Sequence, residues 1–326
     1  MPIATRLTER LGIVHPVVSA PMDVIAGGKL AAAVTNAGGL GFLGGGYADD
    51  ADWFEREFAA AGNQAVGCGF ITWSLRHRPE LLDAAIDRSP KAIFLSFDDP
   101  EPFAGRIKAA GIPLFCQLQT RADAERAIDC GADIIVAQGT EGGGHGGTRA
   151  TLTLVPEIAD LIAKRAPQTL LCAAGGIADG RGLAAALMLG ADGVVVGTRF
   201  WAAQEALVHP NLREAALAAG GDDTVRQSVL DIVRERAWPA RYTGRVLRNA
   251  FVAEWLGREA ELSEARAEQV ARYRQATAAS DASVMATIVG EGIGLIHAIE
   301  PAAVILGRMV AEAEQLLSAG PRYITR

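Results

Sequence analysis

Between residues 15 and about 200 the chain repeats one rhythm eight times: a short apolar run rich in β-branched residues, then a longer amphipathic stretch. The apolar runs are HPVVSAPM (15–22), LGFLGG (40–45), AVGCGFIT (65–72), AIFLSF (92–97), PLFCQLQ (113–119), DIIVAQG (133–139), TLLCAAGG (169–176) and DGVVVGT (192–198). Helical patterns such as KLAAAVTNAG, RPELLDAAIDR and VPEIADLIAKRA lie between them, several closed by the glycine that a helix C′ position favours. Strands this apolar need cover on both faces. Eight of them, each followed by a helix, predict an α/β chain folded as a (β/α)8 barrel, with a doubly wound open sheet as the alternative.

The rhythm stops after residue 206. Residues 207–276 carry Trp, Arg and Glu at helical spacing with no strand run between them, which predicts a helical excursion beside the barrel, an accessory or lid region. Residues 277–326 turn apolar again through a Gly-rich turn and a long last helix, and are expected to return to the barrel mouth. The expected organisation is therefore a barrel over 1–206, the excursion over 207–276 and a returning C-terminal segment over 277–326.

The formal charge of -7 and a pI near 5.4, with arginines scattered among acids, argue against a nucleic-acid partner. No stretch approaches the roughly 18 to 20 uninterrupted apolar residues of a membrane span, and no secretory pattern opens the sequence, so a soluble cytoplasmic protein with a small-molecule substrate is expected. Cys68, Cys116, Cys130 and Cys172 sit in apolar surroundings without paired Cys or His spacing. They are expected to be buried free thiols, and no metal is expected.

GLGFLG (39–44) matches the spacing G-x-G-x-x-G, but a helix pattern ends just before it and the glycines run into a strand, which is the wrong order for a dinucleotide fingerprint. The ends of the last two barrel strands carry more. A barrel often binds phosphate through main-chain N–H groups in the loops after strands seven and eight, where Gly175 and Gly176 would form one wall and Gly197 and Thr198 the other. Ala20, Pro21 and Met22 close the first strand at the same face, an apolar edge against which a planar cofactor can lie. Gln117, Gln119 and Gln138 bring uncharged amides to the mouth, able to donate to a cofactor carbonyl or ring nitrogen.

The sixth strand runs into AQGTEGGGHGG. His15, His77, His209 and His297 are read as structural. His145 differs, because its glycine neighbours give it no side-chain cover and an imidazole there can move protons near neutral pH. Glu141 either positions the loop or His145, or is a solvated carboxylate.

Taken together, APM after the first strand, NAGGLGFLGGG, the loop residues Gly139, Glu141, Gly143, Gly144 and His145, then AAGGIADGRG, GADGVVVGTRF and the late GEGIGLI resemble the nitronate monooxygenase family, formerly 2-nitropropane dioxygenase. That family shares an FMN-binding TIM barrel with the FMN-dependent enoyl-ACP reductases and related NAD(P)H:quinone reductases. The resemblance implies non-covalent FMN, with its phosphate on Gly175, Gly176, Gly197 and Thr198, its ring along Ala20 to Met22, and Gln117 near the pyrimidine edge. It also places Gln138 and Gly144 among the cofactor contacts and makes His145 the catalytic histidine. The partners implied are a nitronate and O2, with a second copy of the chain in a homodimer; neither nucleic acid nor membrane is among them.

One departure concerns the third strand, where bacterial relatives carry Asn in a GVN sequence and this chain reads VGCGFITW with Gly69. That pattern resembles the fungal-type branch and removes a polar contact to FMN. The implied activity is oxidation of nitronates, with nitroalkanes as further substrates, to a carbonyl compound and nitrite. Reduction of a quinone or enoyl thioester by NAD(P)H through the same FMN is the main alternative, and a barrel that only binds a phosphorylated ligand is the third reading.

Overall fold

A computed structural model of the chain describes residues 3–47 and 51–320. Its strands are β1 (Val17–Ser19), β2 (Phe42–Gly46), β3 (Gly67–Ile71), β4 (Ile93–Ser96), β5 (Leu114–Leu118), β6 (Ile134–Gln138), β7 (Gly144–Gly146), β8 (Leu170–Ala174), β9 (Gly193–Val196), β10 (Thr224–Gln227) and β11 (Thr243–Leu247). All but β7, β10 and β11 form one parallel sheet in the order β1-β9-β8-β6-β5-β4-β3-β2. The sheet closes where Ser19 N–H donates to Leu40 O and Leu40 N–H to Val17 O, both at 3.0 Å. Eight parallel strands closed in this way, with helices outside, are the expected (β/α)8 barrel.

Alternation along each strand divides the apolar side chains between two layers. Inside, Phe42, Phe94 and Phe115 meet with ring centroids 5.2 to 5.6 Å apart, packed with Val18, Val136 and Val195. Leu7 and Leu11 from the helix Arg6–Leu11 join this cluster and close the N-terminal end of the barrel. Outside, residues such as Cys68, Ile93, Ile135 and Val194 pack under the surrounding helices. Cys68, Cys116 and Cys172 are buried free thiols whose burial raises their pKa, and Cys130 is half-buried and also free.

GLGFLG does not open a helix: its glycines run into β2, and the next helix begins at Ala51. The helix Ala302–Ser318 packs between the helices Gly180–Met188 and Gly28–Asn36, which is the place of the eighth barrel helix. Residues after β9 thus leave the barrel and come back to complete it.

The excursion is helical, with its own apolar core around Leu230, Val233, Phe251, Val252, Leu262 and Val270. The expectation that it holds no strand needs correction. TVRQ and TGRVL form β10 and β11, antiparallel to each other, and β11 pairs in turn with β7 inside the glycine-rich loop. Both strands are short and interrupted by Arg226 and Arg245, so neither shows an apolar run; they form because they find each other and a loop far upstream. Among the described residues no helix is long and apolar enough to cross a membrane, and no cluster of His, Cys, Asp and Glu could hold a metal ion.

Candidate active site

A cavity of about 470 Å³ opens over the C-terminal ends of the barrel strands, within the 300 to 1,000 Å³ range usual for cofactor and ligand sites. Ala20, Pro21, Met22, Gln117, Gln138, Gly144, His145, Gly175, Gly176, Gly197 and Thr198 all line it. The strand ends therefore converge as the barrel dictates. The excursion supplies the roof, with Arg234, Trp238, Tyr273, Met285 and Ile288.

The turn after β8 takes Gly175 to φ 101° and Gly176 to φ 72°, the left-handed region that residues with a Cβ rarely adopt. A Cβ on Gly176 would also stand 3.3 Å from Cβ of Glu141. Across the gap, Gly197 precedes the short helix Thr198–Trp201 with no side-chain cap. Among the described residues no protein group accepts from the amides of Gly176, Gly197 or Thr198. The hydroxyl of Thr198 is occupied differently, accepting from Gly290 N–H at 2.9 Å, so GEGIGLI anchors on this wall.

Gln138 is the hub of the amide group. Its Oε1 accepts from Gln117 Nε2 at 3.0 Å and Gln119 Nε2 at 2.7 Å, while its own Nε2 donates to His145 O at 3.2 Å. Glu141 positions the loop: its carboxylate accepts from the main chain and hydroxyl of Thr151, and that hydroxyl also reaches Gly175 O at 3.1 Å. Of the histidines read as structural, His209 caps a helix by accepting from Asn211 N–H at 3.2 Å.

His145 lies on the cavity wall, but the expectation of an uncovered side chain is corrected: it is 9% exposed. Its neighbours in sequence do leave it bare, and the excursion covers it instead. Trp238 stacks on the imidazole with centroids 3.5 Å apart and planes 6° apart. His145 Nε2 lies 2.9 Å from Asp231 Oδ2, so the neutral ring carries its proton on Nε2 and leaves the Nδ1 lone pair free. Burial lowers the His145 pKa below the ordinary imidazole value, with Asp231 opposing the shift. The ring is therefore neutral at pH 7.

Sequence reasoning missed Asp231, Arg234 and Trp238, all within DIVRERAW, where helical spacing hides any chemistry. It also left Gly69 without a physical reason. Gly69 lies within β3, and a Cβ there would approach Cβ and Cγ of Pro21 to 2.3 and 2.5 Å. The rigid Pro21 ring occupies the space that a larger residue would need.

The sequence profile described as nitronate monooxygenase matches residues 4–63 and 48–312. A nitronate monooxygenase of Neurospora crassa is 33% identical, the match covering 92% of this chain and 89% of that protein. Among solved structures, FabK from Thermotoga maritima superposes with a TM-score of 0.86 at 30% identity, covering 99% of this chain and 100% of that one. A nitroalkane oxidase from Streptomyces ansochromogenes gives 0.77 at 25% identity, covering 94% and 98%. With a profile match over nearly its whole length and a relative this similar end to end, the chain belongs to the nitronate monooxygenase family.

Proposed function

We propose that the cavity binds FMN and that the protein oxidises alkyl nitronates with O2 to a carbonyl compound and nitrite. The observation that carries this reading is the buried His145–Asp231 pair on the wall of a flavin-sized cavity. The residues fit the cofactor: free amides at Gly176, Gly197 and Thr198 suit a terminal phosphate, the apolar Ala20–Met22 edge suits a planar ring, and Gln117, steadied by Gln138, suits the pyrimidine edge. Gly144 keeps the loop backbone low beside that ring. Bound FMN supplies electron acceptance from the substrate and onward transfer to O2.

The chain's own groups do the rest. Asp231 holds the His145 tautomer, Trp238 holds the plane of the ring, and Gln138 holds the loop through His145 O. A nitronate is already an anion and needs only to be bound and oriented. A neutral nitroalkane must first lose its α-proton, which His145 Nδ1 is placed to accept.

The electron donor separates this reading from the NAD(P)H-dependent reductase alternative. Propyl-1-nitronate added without oxygen should bleach the yellow protein within the turnover time, while NADH and NADPH bleach it slowly or not at all. Rapid bleaching by NADPH, with colour restored by a quinone or enoyl thioester and no turnover of nitronate, would move the protein to the reductase branch.

A further inference from the structure

The helix Val229–Val233 and its C-cap carry two charged groups beside the cavity, and the site described so far uses only one of them. Asp231 is bound to His145. Arg234, three residues on at the helix C-cap, lines the cavity and is the one cation among the described residues that do so. Among the described residues its guanidinium has no hydrogen-bond or ion-pair partner, and the Tyr47 ring lies 5.9 Å away at its centroid.

Three other arginines of this protein spend most of their donors on protein groups, although Arg226 Nη2 is buried without a partner among the described residues. Arg199 pairs with Glu300 and the carbonyl of Ala298. Arg226 bonds to Thr140 and Thr243, and Arg245 to Thr140, Thr224 and Glu291. A guanidinium brings five donors in a planar fork, and those of Arg234, which is half-buried, are accessible to a ligand in the cavity. Burial works against its charge, while Tyr47, Tyr273, Asp23 and Asp231 around it favour the charged form. An unpaired fork of donors in a largely apolar cavity matches an anion with two coplanar oxygens.

We propose that Arg234 is the anion receptor of this site, its guanidinium taking the two oxygens of the substrate's nitronate group. The inference rests on the nitronate reading of the cavity and adds the residue that selects the anion. Arg234 and His145 line the same cavity, and the arginine charge is felt at the imidazole, so one substrate can meet both. Arg234 also serves the neutral nitroalkane. As the α-C–H bond breaks and the proton moves to His145 Nδ1, the electron pair forms the C=N bond and negative charge collects on the two nitro oxygens, where a preorganised guanidinium stabilises it.

Nitrate, a planar and unreactive oxyanion, is the probe. In the flavin-loaded protein it should bind by calorimetry and compete with propyl-1-nitronate. R234M should weaken nitrate binding and raise the nitronate KM by about 10- to 100-fold, the range of a charge-assisted hydrogen bond. With nitronate kcat should change little, whereas with 1-nitropropane kcat itself should fall. R234K should recover part of the nitrate affinity, and it decides the matter if R234M loses flavin or fails to fold. Wild-type nitrate affinity and nitronate KM in R234M, or in R234K when R234M cannot be used, would overturn the proposal while leaving nitronate oxidation intact. Loss of nitrate binding in a protein whose wild type turns over no nitronate would instead retain the oxyanion receptor and remove the reading beneath it.

Discussion

The imidazole of His145 lies flat against the indole of Trp238, with centroids 3.5 Å apart and planes 6° apart. Trp238 is itself fixed, donating from Nε1 to the Tyr47 hydroxyl at 2.8 Å and meeting Phe97 edge-on at a centroid distance of 5.0 Å. The imidazole thus has one face set by packing and one nitrogen set by Asp231. A glycine-rich loop that could not hold an imidazole by itself borrows rigidity from the excursion, through β11 pairing with β7 and through the two side chains that clasp the ring.

Trp238→Leu tests the packing half. Burial is the largest cause of the lowered His145 pKa, so opening one face to water should raise that pKa back toward 6.5. As the proposed base, His145 works only when neutral. The acidic limb of kcat/KM for 1-nitropropane should therefore move to higher pH, with less activity left at pH 6 than in the wild type. A limb that stays put would show that the indole does not set the imidazole environment.

Asp231→Asn should move the same limb the other way. Asp231 raises the His145 pKa against burial, so removing its charge lowers the pKa further, while loss of the tautomer lock lowers the plateau. A positioned general base contributes about 10²- to 10⁴-fold, and a mispositioned one should forfeit a large part of that with 1-nitropropane. Propyl-1-nitronate, which needs no proton abstraction, should lose much less. Equal losses on both substrates would place Asp231 in binding or folding instead.

The barrel was legible because its strands are apolar on both faces and come at regular spacing, and because a barrel puts strands seven and eight where phosphate binds. The glycines at 175, 176 and 197 could be placed on that ground alone. His145 could be singled out, but its environment could not be read. Its partner Asp231 lies 86 residues downstream, and the pairing depends on β7 meeting β11, neither of which shows an apolar run. Arg234 and Trp238 were hidden for the same reason: in DIVRERAW the spacing reports a helix face, and only the assembled roof shows which residues look into the cavity.

Gly69 gives a prediction about branch differences within the family. Placing Asn there drives a side chain into the Pro21 ring, whose Cβ and Cγ would lie 2.3 and 2.5 Å from the new Cβ. Overpacking of this kind costs about 1 to 3 kcal/mol. Gly69→Asn should lower the melting temperature, and the flavin should bind more weakly because Pro21 belongs to the apolar edge of the cavity. Unchanged stability would mean that β1 and β3 can part more readily than their close approach suggests.

Gly176→Val tests the proposed phosphate wall and the identity of the cofactor together. A β-branched residue at φ 72° is strained by about 1 to 3 kcal/mol, and its Cβ would press on Glu141, the residue that ties the loop to Thr151. The purified wild type should be yellow and release FMN, not FAD, on heating or acid treatment. The variant should keep its far-ultraviolet circular dichroism, since the turn lies beyond β8 and outside the apolar layers of the barrel. It should nevertheless bind added FMN much more weakly, while riboflavin, which lacks the phosphate, should bind wild type and variant with more similar affinity. That contrast assigns the loss to the phosphate. Equal loss of FMN and riboflavin would point to collapse of the cavity, and a folded, colourless wild type that takes up neither would remove the flavin reading altogether.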